Sequence, residues 1–585
     1  MNFKTFLVSL VLLCVVLQGG AQQTYYELSG CKKTPKYEQT MEYAHMLARE
    51  SSQISYTSIG KSPQGREIVM LILDKDGLSD VQAIRGKNRA VVLVQGCIHA
   101  GEPDGKDAGL MFLRDVALLN KYPGILDNVS LLFIPILNVD GHEDFGPFNR
   151  INQNGPEELG TRATAQRLNL NRDFVKADAP EMRAWLKMYH SWMPEVFVDV
   201  HVTNGADFQY VVTYGLDECG YCEKPVLEWS KNVFEKQLAQ NMKQEGFPIF
   251  PYFSFKKSND PSQGIIGDNF TPQYSNGYVC SLNRIGLLIE NHIYKPYKQR
   301  VHATYKMIRN TLEIVGANRN ALQKAIAQAD AYTCSAQFRK DTLALSYKTV
   351  YKDSAAVDFL AWERKTIKSD LSGGEWTIHD YNSPITVPSY LYTSYEKDVQ
   401  VVLPEAYIIS AECCNVIELL DVHHIQYEEL SKEQTLEVQT YRFTESEWSK
   451  IPYEGRNTVK VKYKTAMEHI TYPKGSVIVR ADQPGIKIAA HMLEPASPTS
   501  LLYWGFFNGF VRYSSEFWVS LPYMEVKGRE MLAKDPVLKQ RFTDKKRSDP
   551  QFASNPEAIL RFFMDELRKN VEPKAGLYPV GRIVK

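Results

Sequence analysis

Two rhythms of apolar and polar residues divide this chain. From about Tyr37 to Leu322, unbroken apolar runs alternate with helical patterns. The runs are Ala90-Val91-Val92-Leu93-Val94, Val129–Leu137, Val196–Val200 and Ile285–Ile289. They lack period-two alternation, as strands buried on both faces do. Helical periodicity covers Asp104–Leu119, Ala179–Trp192, Glu223–Gln244 and Pro296–Ala327. This half is therefore predicted to be α/β, with a mixed, mostly parallel sheet flanked by helices. After about Tyr332 the pattern shortens and alternates, at Leu436-Glu437-Val438, Thr458–Tyr463, Val477-Ile478-Val479 and Ile486-Lys487-Ile488. Alternation predicts antiparallel strands with one wet face. Two helices are predicted to close the chain, over Met524–Ala533 and from Asn555-Pro556, a capping residue followed by proline at the first helical position. The expected organisation is a catalytic domain over 22–330 and a β-rich C-terminal domain with terminal helices over 331–585.

The first 21 residues read as a cleaved export signal. Lys4 gives a basic start, Phe6–Leu17 is apolar except for Ser9, and Gly19-Gly20-Ala21 supplies the small residues read at cleavage. The apolar run falls short of the ~20 residues needed to cross a bilayer. The expected location is periplasmic or secreted. Cys219-Gly220-Tyr221-Cys222 is a lone CxxC with no second pair at zinc-site spacing, so a local disulfide or two inert thiols is the expectation. Cys413-Cys414 are adjacent and read as strand-packing residues. Lys+Arg and Asp+Glu are equal at 68, which gives no reason to expect nucleic acid as a partner.

The chemistry gathers at strand ends, where α/β sheets carry their functional loops. His99 and Glu102, in GCIHAGEPDG, follow one strand, His201 ends another and Glu290 ends a third. Two imidazoles and a carboxylate make a three-donor set suited to catalytic zinc, which keeps a fourth position open. Glu290 is placed to take and return a proton. Arg150 can stabilise an oxyanion. Arg172 can grip a carboxylate by paired hydrogen bonds, with Asn171 adding another. Arg162 and Arg167 read as ordinary surface arginines. Asp199 either orients the site or sits at the core edge. His292 shares the Glu290 face only if that strand continues, and the expectation is that it ends.

HAGEP at 99–103, NVDG at 138–141, Arg150, NLNRD at 169–173, DVH at 199–201 and IEN at 289–291 stand in the order of the zinc carboxypeptidase family, carboxypeptidase A type. The sequence resembles that family over roughly residues 37–320, and ENHIYKPY resembles an exported bacterial subgroup. The resemblance implies one Zn2+ per catalytic domain, held by His99, Glu102 and His201. It implies Glu290 as general base, Arg150 as carbonyl polariser and Asn171 with Arg172 as clamp for a terminal carboxylate. Tyr274 and Tyr278 are both candidates for the tyrosine that closes over substrate.

The expected activity is hydrolysis of C-terminal peptide bonds in peptides with a free terminal carboxylate. One competing reading is a zinc amidase acting on peptidoglycan stem peptides or acylated amino acids. Another is a catalytically inert peptide- or glycan-binding protein.

Overall fold

The computed structural model describes residues 22–203, 205, 207–511, 519–571 and 576–584. The leader at 1–21 lies outside the described residues. An eight-stranded mixed sheet forms the first half of the molecule. Its strands are β1 (Ile54–Lys61), β2 (Glu67–Leu73), β3 (Ala90–Gln95), β4 (Val129–Ile134), β5 (Val196–Thr203), β6 (Val212–Gly215), β7 (Phe250–Pro251) and β8 (Ile285–His292). Their spatial order is β1-β2-β4-β3-β5-β8-β6-β7, with β4, β3, β5 and β8 a parallel core. Every residue of β3, β4, β5 and β8 is buried, which accounts for their lack of alternation. Helices Asp104–Ala117, Pro180–Trp192 and Tyr297–Thr333 match the sequence expectation closely.

Register places the chemistry. In the β5–β8 pairing Glu290 lies opposite His201, and in the β3–β5 pairing Gln95 lies opposite Asp199. Residues i and i+2 of a strand share a face. Gln95, Asp199, His201 and Glu290 therefore form one polar patch on an otherwise apolar sheet. Strand β8 runs on through His292, so the predicted early end is corrected. His292 packs edge-on against Phe208 at 4.4 Å between ring centroids.

The second half is built around two long hairpins. One pairs β9 (Ala355–Lys368) with β10 (Glu375–Tyr392), and its base adds Leu391-Tyr392 alongside Ile265-Ile266. The other pairs β11 (Gln434–Trp448) with β12 (Val459–Tyr472). That second hairpin joins a six-stranded sheet through β13 (Val580–Ile583), which lies between Ala406–Ile409 and β11. The chain thus adds a strand after its helices, which the sequence did not predict.

Two other expectations are corrected. Ile486-Lys487-Ile488 belongs to a helix, Ile486–Leu493, whose eight residues are all buried. Three alternating residues fit either period. The helix wins because Lys487 has partners there, its Nζ donating to Tyr221 O and Asn283 Oδ1, both at 2.7 Å. Cys413 and Cys414 fall at a short 3-10 turn and the start of helix Cys414–Val422, not in a strand. One continuous buried cluster includes residues of both halves, from Tyr26 to Val580.

Candidate metal centre

After β3 the chain turns through Cys97, held at φ +55°, into a tight turn in which Glu102 N–H donates to His99 O. The turn delivers His99 and Glu102 to one point above the sheet, and β5 delivers His201 to the same point. His99 Nδ1, His201 Nδ1 and Glu102 Oε2 form a near-equilateral triangle with edges of 3.1, 3.2 and 3.3 Å. Tetrahedral zinc with bonds of about 2.0–2.1 Å has ligand atoms about 3.3–3.4 Å apart. The triangle has the size of one face of that tetrahedron.

The outer atoms fix the tautomers. His201 Nε2 donates to Asp199 Oδ2 at 2.8 Å, and Gln95 Nε2 steadies the other Asp199 oxygen at 3.0 Å. His99 Nε2 donates to Asn169 Oδ1 at 3.0 Å. With both Nε2 hydrogens so placed, each ring, once neutral, turns a lone pair inward from Nδ1. Two lone pairs and a carboxylate oxygen then face one another, a cluster of acceptors that calls for a cation. The residues fit zinc.

Electrostatics split the two rings: burial opposes charge on His201, but Asp199, Glu102 and Glu290 outweigh it and raise that imidazole to about 10, so a proton holds its place in the cluster until a cation displaces it. Burial pushes the His99 imidazole down to about 4 and so favours its neutral form. Burial also opposes the charge on Glu102, but Arg150 and the two histidines outweigh it and hold that carboxyl well below the usual range. Arg150 Nη1 donates to Glu102 Oε1 at 2.7 Å and its Nη2 to Val202 O at 2.8 Å. Gly101 makes room for this, since a Cβ there would lie 2.7 Å from Arg150 Cδ and 2.8 Å from Gly160 O.

These groups face a cavity of about 580 Å³. Glu290 lines it, with Oε2 buried and without a hydrogen-bond partner. Burial, reinforced by Glu102 and opposed by His201, pushes its carboxyl up to about 8. Arg172 reaches the cavity with its guanidinium 4.5 Å above the Tyr274 ring. Asn171 lies between the centre and helix Ser275–Ser281: its Oδ1 accepts from Ser275 N–H at 2.9 Å, and its Nδ2 is 3.5 Å from His201 Nε2.

Of the two tyrosine candidates only Tyr274 lines the cavity. Tyr278 is fully buried one helical turn on, with its hydroxyl hydrogen-bonded to His190 and His423 at 2.9 and 2.8 Å, and it is corrected to a core residue. Arg162 is exposed, as a surface arginine should be, but it also lines the cavity, with Nη1 3.3 Å from Glu102 Oε1. Sequence reasoning also passed over Asn169, Tyr252 and Asp268. Asn169 stood inside a recognised motif, two residues before the clamp, and was the one with a findable signal.

The buried three-donor centre on an α/β sheet defines the class as a zinc metallopeptidase. The family model for zinc carboxypeptidases matches residues 40–206, a span that contains all three donors. Over that span the chain is similar to the carboxypeptidase A-like zinc carboxypeptidases, and the cofactor this implies is zinc. Similar proteins include Carboxypeptidase 2 of Trichophyton equinum, 22% identical over 498 residues that cover 80% of this chain and 84% of the relative. Carboxypeptidase 2 of Trichophyton rubrum is also 22% identical, over 493 residues, with the same coverage. Among solved structures, a metallo-carboxypeptidase from Burkholderia cenocepacia matches 48% of this chain and 69% of its own, at TM-score 0.35 and 15% identity. One from Pseudomonas aeruginosa matches 49% and 69%, at TM-score 0.37 and 15% identity. Among the described residues no helix is long and apolar enough to cross a membrane.

Proposed function

We propose that this metallocarboxypeptidase removes single residues from the C-termini of exported or extracellular peptides. The observation that carries the reading is the sharing of one cavity by the three-donor triangle, Glu290 and the Arg172–Tyr274 pair. His99, Glu102 and His201 would hold the zinc. Bound there, zinc supplies a Lewis acid that polarises a carbonyl and brings the pKa of a water down to about 7.

The chain's own groups do the rest. Glu290, whose raised carboxyl a cation at the three donors would bring down into its charged form, accepts a proton from the attacking water and returns it to the leaving amine. Its lack of a partner at Oε2 leaves that oxygen available for the task. Arg150, with Arg162 beside it, presents positive charge to the developing oxyanion. Arg172 and Asn171 bind the terminal carboxylate, and Tyr274 stacks on the guanidinium and covers the peptide end. Holding the free carboxylate beside the scissile bond limits cleavage to the last residue.

The test is the mass of products from a mixed peptide set, with zinc present and with zinc chelated. Stepwise loss of C-terminal residues that stops on chelation is expected. Internal cleavage, or cleavage indifferent to chelation, contradicts the proposal. Arg172→Ala should raise KM for free-carboxylate peptides by about 100-fold, the loss of a charge-assisted pair of about 2–3 kcal/mol, and leave the slow turnover of C-terminally amidated peptides unchanged.

A further inference from the structure

A second cluster of chemistry-bearing side chains lies outside the metal centre. Cys222, Cys280 and Asp217 bring their sulfur and carboxylate atoms within 4.8 Å of one another. Both cysteines are buried, with their sulfurs within 4.8 Å of each other. Cys222 belongs to the CxxC loop after β6, and Cys280 to helix Ser275–Ser281, which begins just after Tyr274 and leads into the strand bearing Glu290. The two sulfurs therefore connect elements on opposite ends of a 59-residue stretch, 222–280, that carries Tyr252, Asp268 and Tyr274 into the substrate cavity. A cleft lined by Cys219 and Cys280 shares Asp268, Asn269, Phe270 and Asn276 with that cavity.

A metal fits this cluster poorly. Structural zinc takes four ligands, and only three donors gather here among the described residues. Both oxygens of Asp217 are already spent, Oδ1 on the N–H groups of Cys219 and Gly220 at 3.0 Å and Oδ2 on that of Cys222 at 2.6 Å. Cys222 keeps its hydrogen, donating S–H to Arg284 O at 3.3 Å. What remains is a pair of neighbouring thiols, one of them resting on a backbone carbonyl.

We propose that Cys222 and Cys280 form a disulfide when the chain matures in an oxidising compartment, and that this bond staples one wall of the substrate cavity. The step rests on the export reading. Two S–H bonds are replaced by one S–S bond, and the two hydrogens and two electrons pass to a small-molecule disulfide, which leaves as two thiols. Closing a ring of this length removes freedom from the unfolded chain. It also ties the Tyr274 end of the wall to the loop that follows β6.

The test uses the full, zinc-loaded chain refolded with oxidised glutathione, alkylated and digested without reduction. A peptide pair joined through Cys222 and Cys280 is expected. Reduction with a non-chelating phosphine should lower Tm by a few degrees in the wild type and leave Cys222→Ser and Cys280→Ser unaffected, while Cys219→Ser behaves as the wild type. Alkylation of both Cys222 and Cys280, or a link that joins either one to Cys219, overturns the proposal. If the refolded variants bind no zinc, the same peptide map on the wild type alone decides, since it depends on neither folding of the variants nor activity.

Discussion

The carboxylate of Glu454 accepts the backbone N–H of Asn169 at 2.8 Å, across 285 positions of sequence. Asn169 is the residue whose Oδ1 holds His99 Nε2 and also accepts from Asn171 N–H. Glu454 sits at the tip of the β11–β12 hairpin in the left-handed region, at φ +49°, beside Gly455. A non-glycine residue there carries strain. Next to it, Arg456 forms a two-pronged pair with Asp178 at 2.5 and 2.7 Å. The hairpin tip thus braces the loop that supplies the zinc-ligand partner and the carboxylate clamp.

Glu454→Ala should therefore loosen the metal centre from a distance. Loss of a partner behind a metal ligand costs about 10- to 100-fold in affinity or activity. We expect the low end, about 10-fold weaker zinc binding, because Glu454 acts one residue further out. Competition with a calibrated chelator measures it, and Glu454→Gln should recover most of the loss. Unchanged zinc affinity in Glu454→Ala would show that the brace is only architectural.

Glu290→Gln should separate binding from chemistry. The substitution keeps size and removes the base, so kcat should fall by about 100- to 10,000-fold. Zinc content and KM should stay near the wild-type values. Loss of zinc alongside activity would assign Glu290 to the metal instead.

Asp268 gives the cavity a selectable charge. Its half-buried carboxyl lines the wall, and burial lifts it to about 6. The charged form is therefore held only above about pH 6. A peptide ending in Lys or Arg should gain over one ending in Leu as pH rises from about 5 to 7. The ratio of kcat/KM values for the two peptides measures this. Asp268→Asn should flatten that ratio across the same range. A ratio that already favours Lys at pH 5, or one that survives in Asp268→Asn, would place the selecting charge elsewhere.

Glu181 stores an alkaline liability in the fold. It is fully buried, both carboxylate oxygens lack hydrogen-bond partners, and burial raises its pKa to about 7. The folded value lies above the unfolded one of about 4.3. Its contribution is fully present below about pH 4.3 and is lost as pH rises through 7. Glu181→Gln should therefore stabilise the protein at pH 8, by about 1–3 kcal/mol, and do little at pH 5. Thermal melts at the two pH values decide it, and an equal effect at both contradicts the assignment.

The metal ligands were legible because their spacing and their strand ends carry a pattern: His99 and Glu102 share one turn, and His201 and Glu290 end unmistakable apolar runs. Partners that come from other parts of the chain left no such trace. Asn169 reaches His99 only because a loop folds back, and Glu454 reaches Asn169 only because a hairpin from the second half leans on that loop. The tyrosine choice needed coordinates, since Tyr274 and Tyr278 are four residues apart and the helix start between them sends one to the cavity and the other to the core. The cavity contact of Arg162 left no trace in the sequence, because an exposed loop arginine looks the same whether or not a carboxylate lies beside it. In the second half, the helix at Ile486–Leu493 was hidden because three alternating residues are too few to tell period 2 from period 3.6.

Strand β13 ties the two ends of the second half together. It fills the gap between Ala406–Ile409 and the hairpin that ends in Glu454. Every zinc ligand and Glu290 precede residue 300, while the hairpin meets its sheet through the strand at 580–583, where Gln439 lies opposite Arg582. The support behind His99 therefore runs through three distant stretches of sequence, from Asn169 to the Glu454 hairpin to the strand at 580–583.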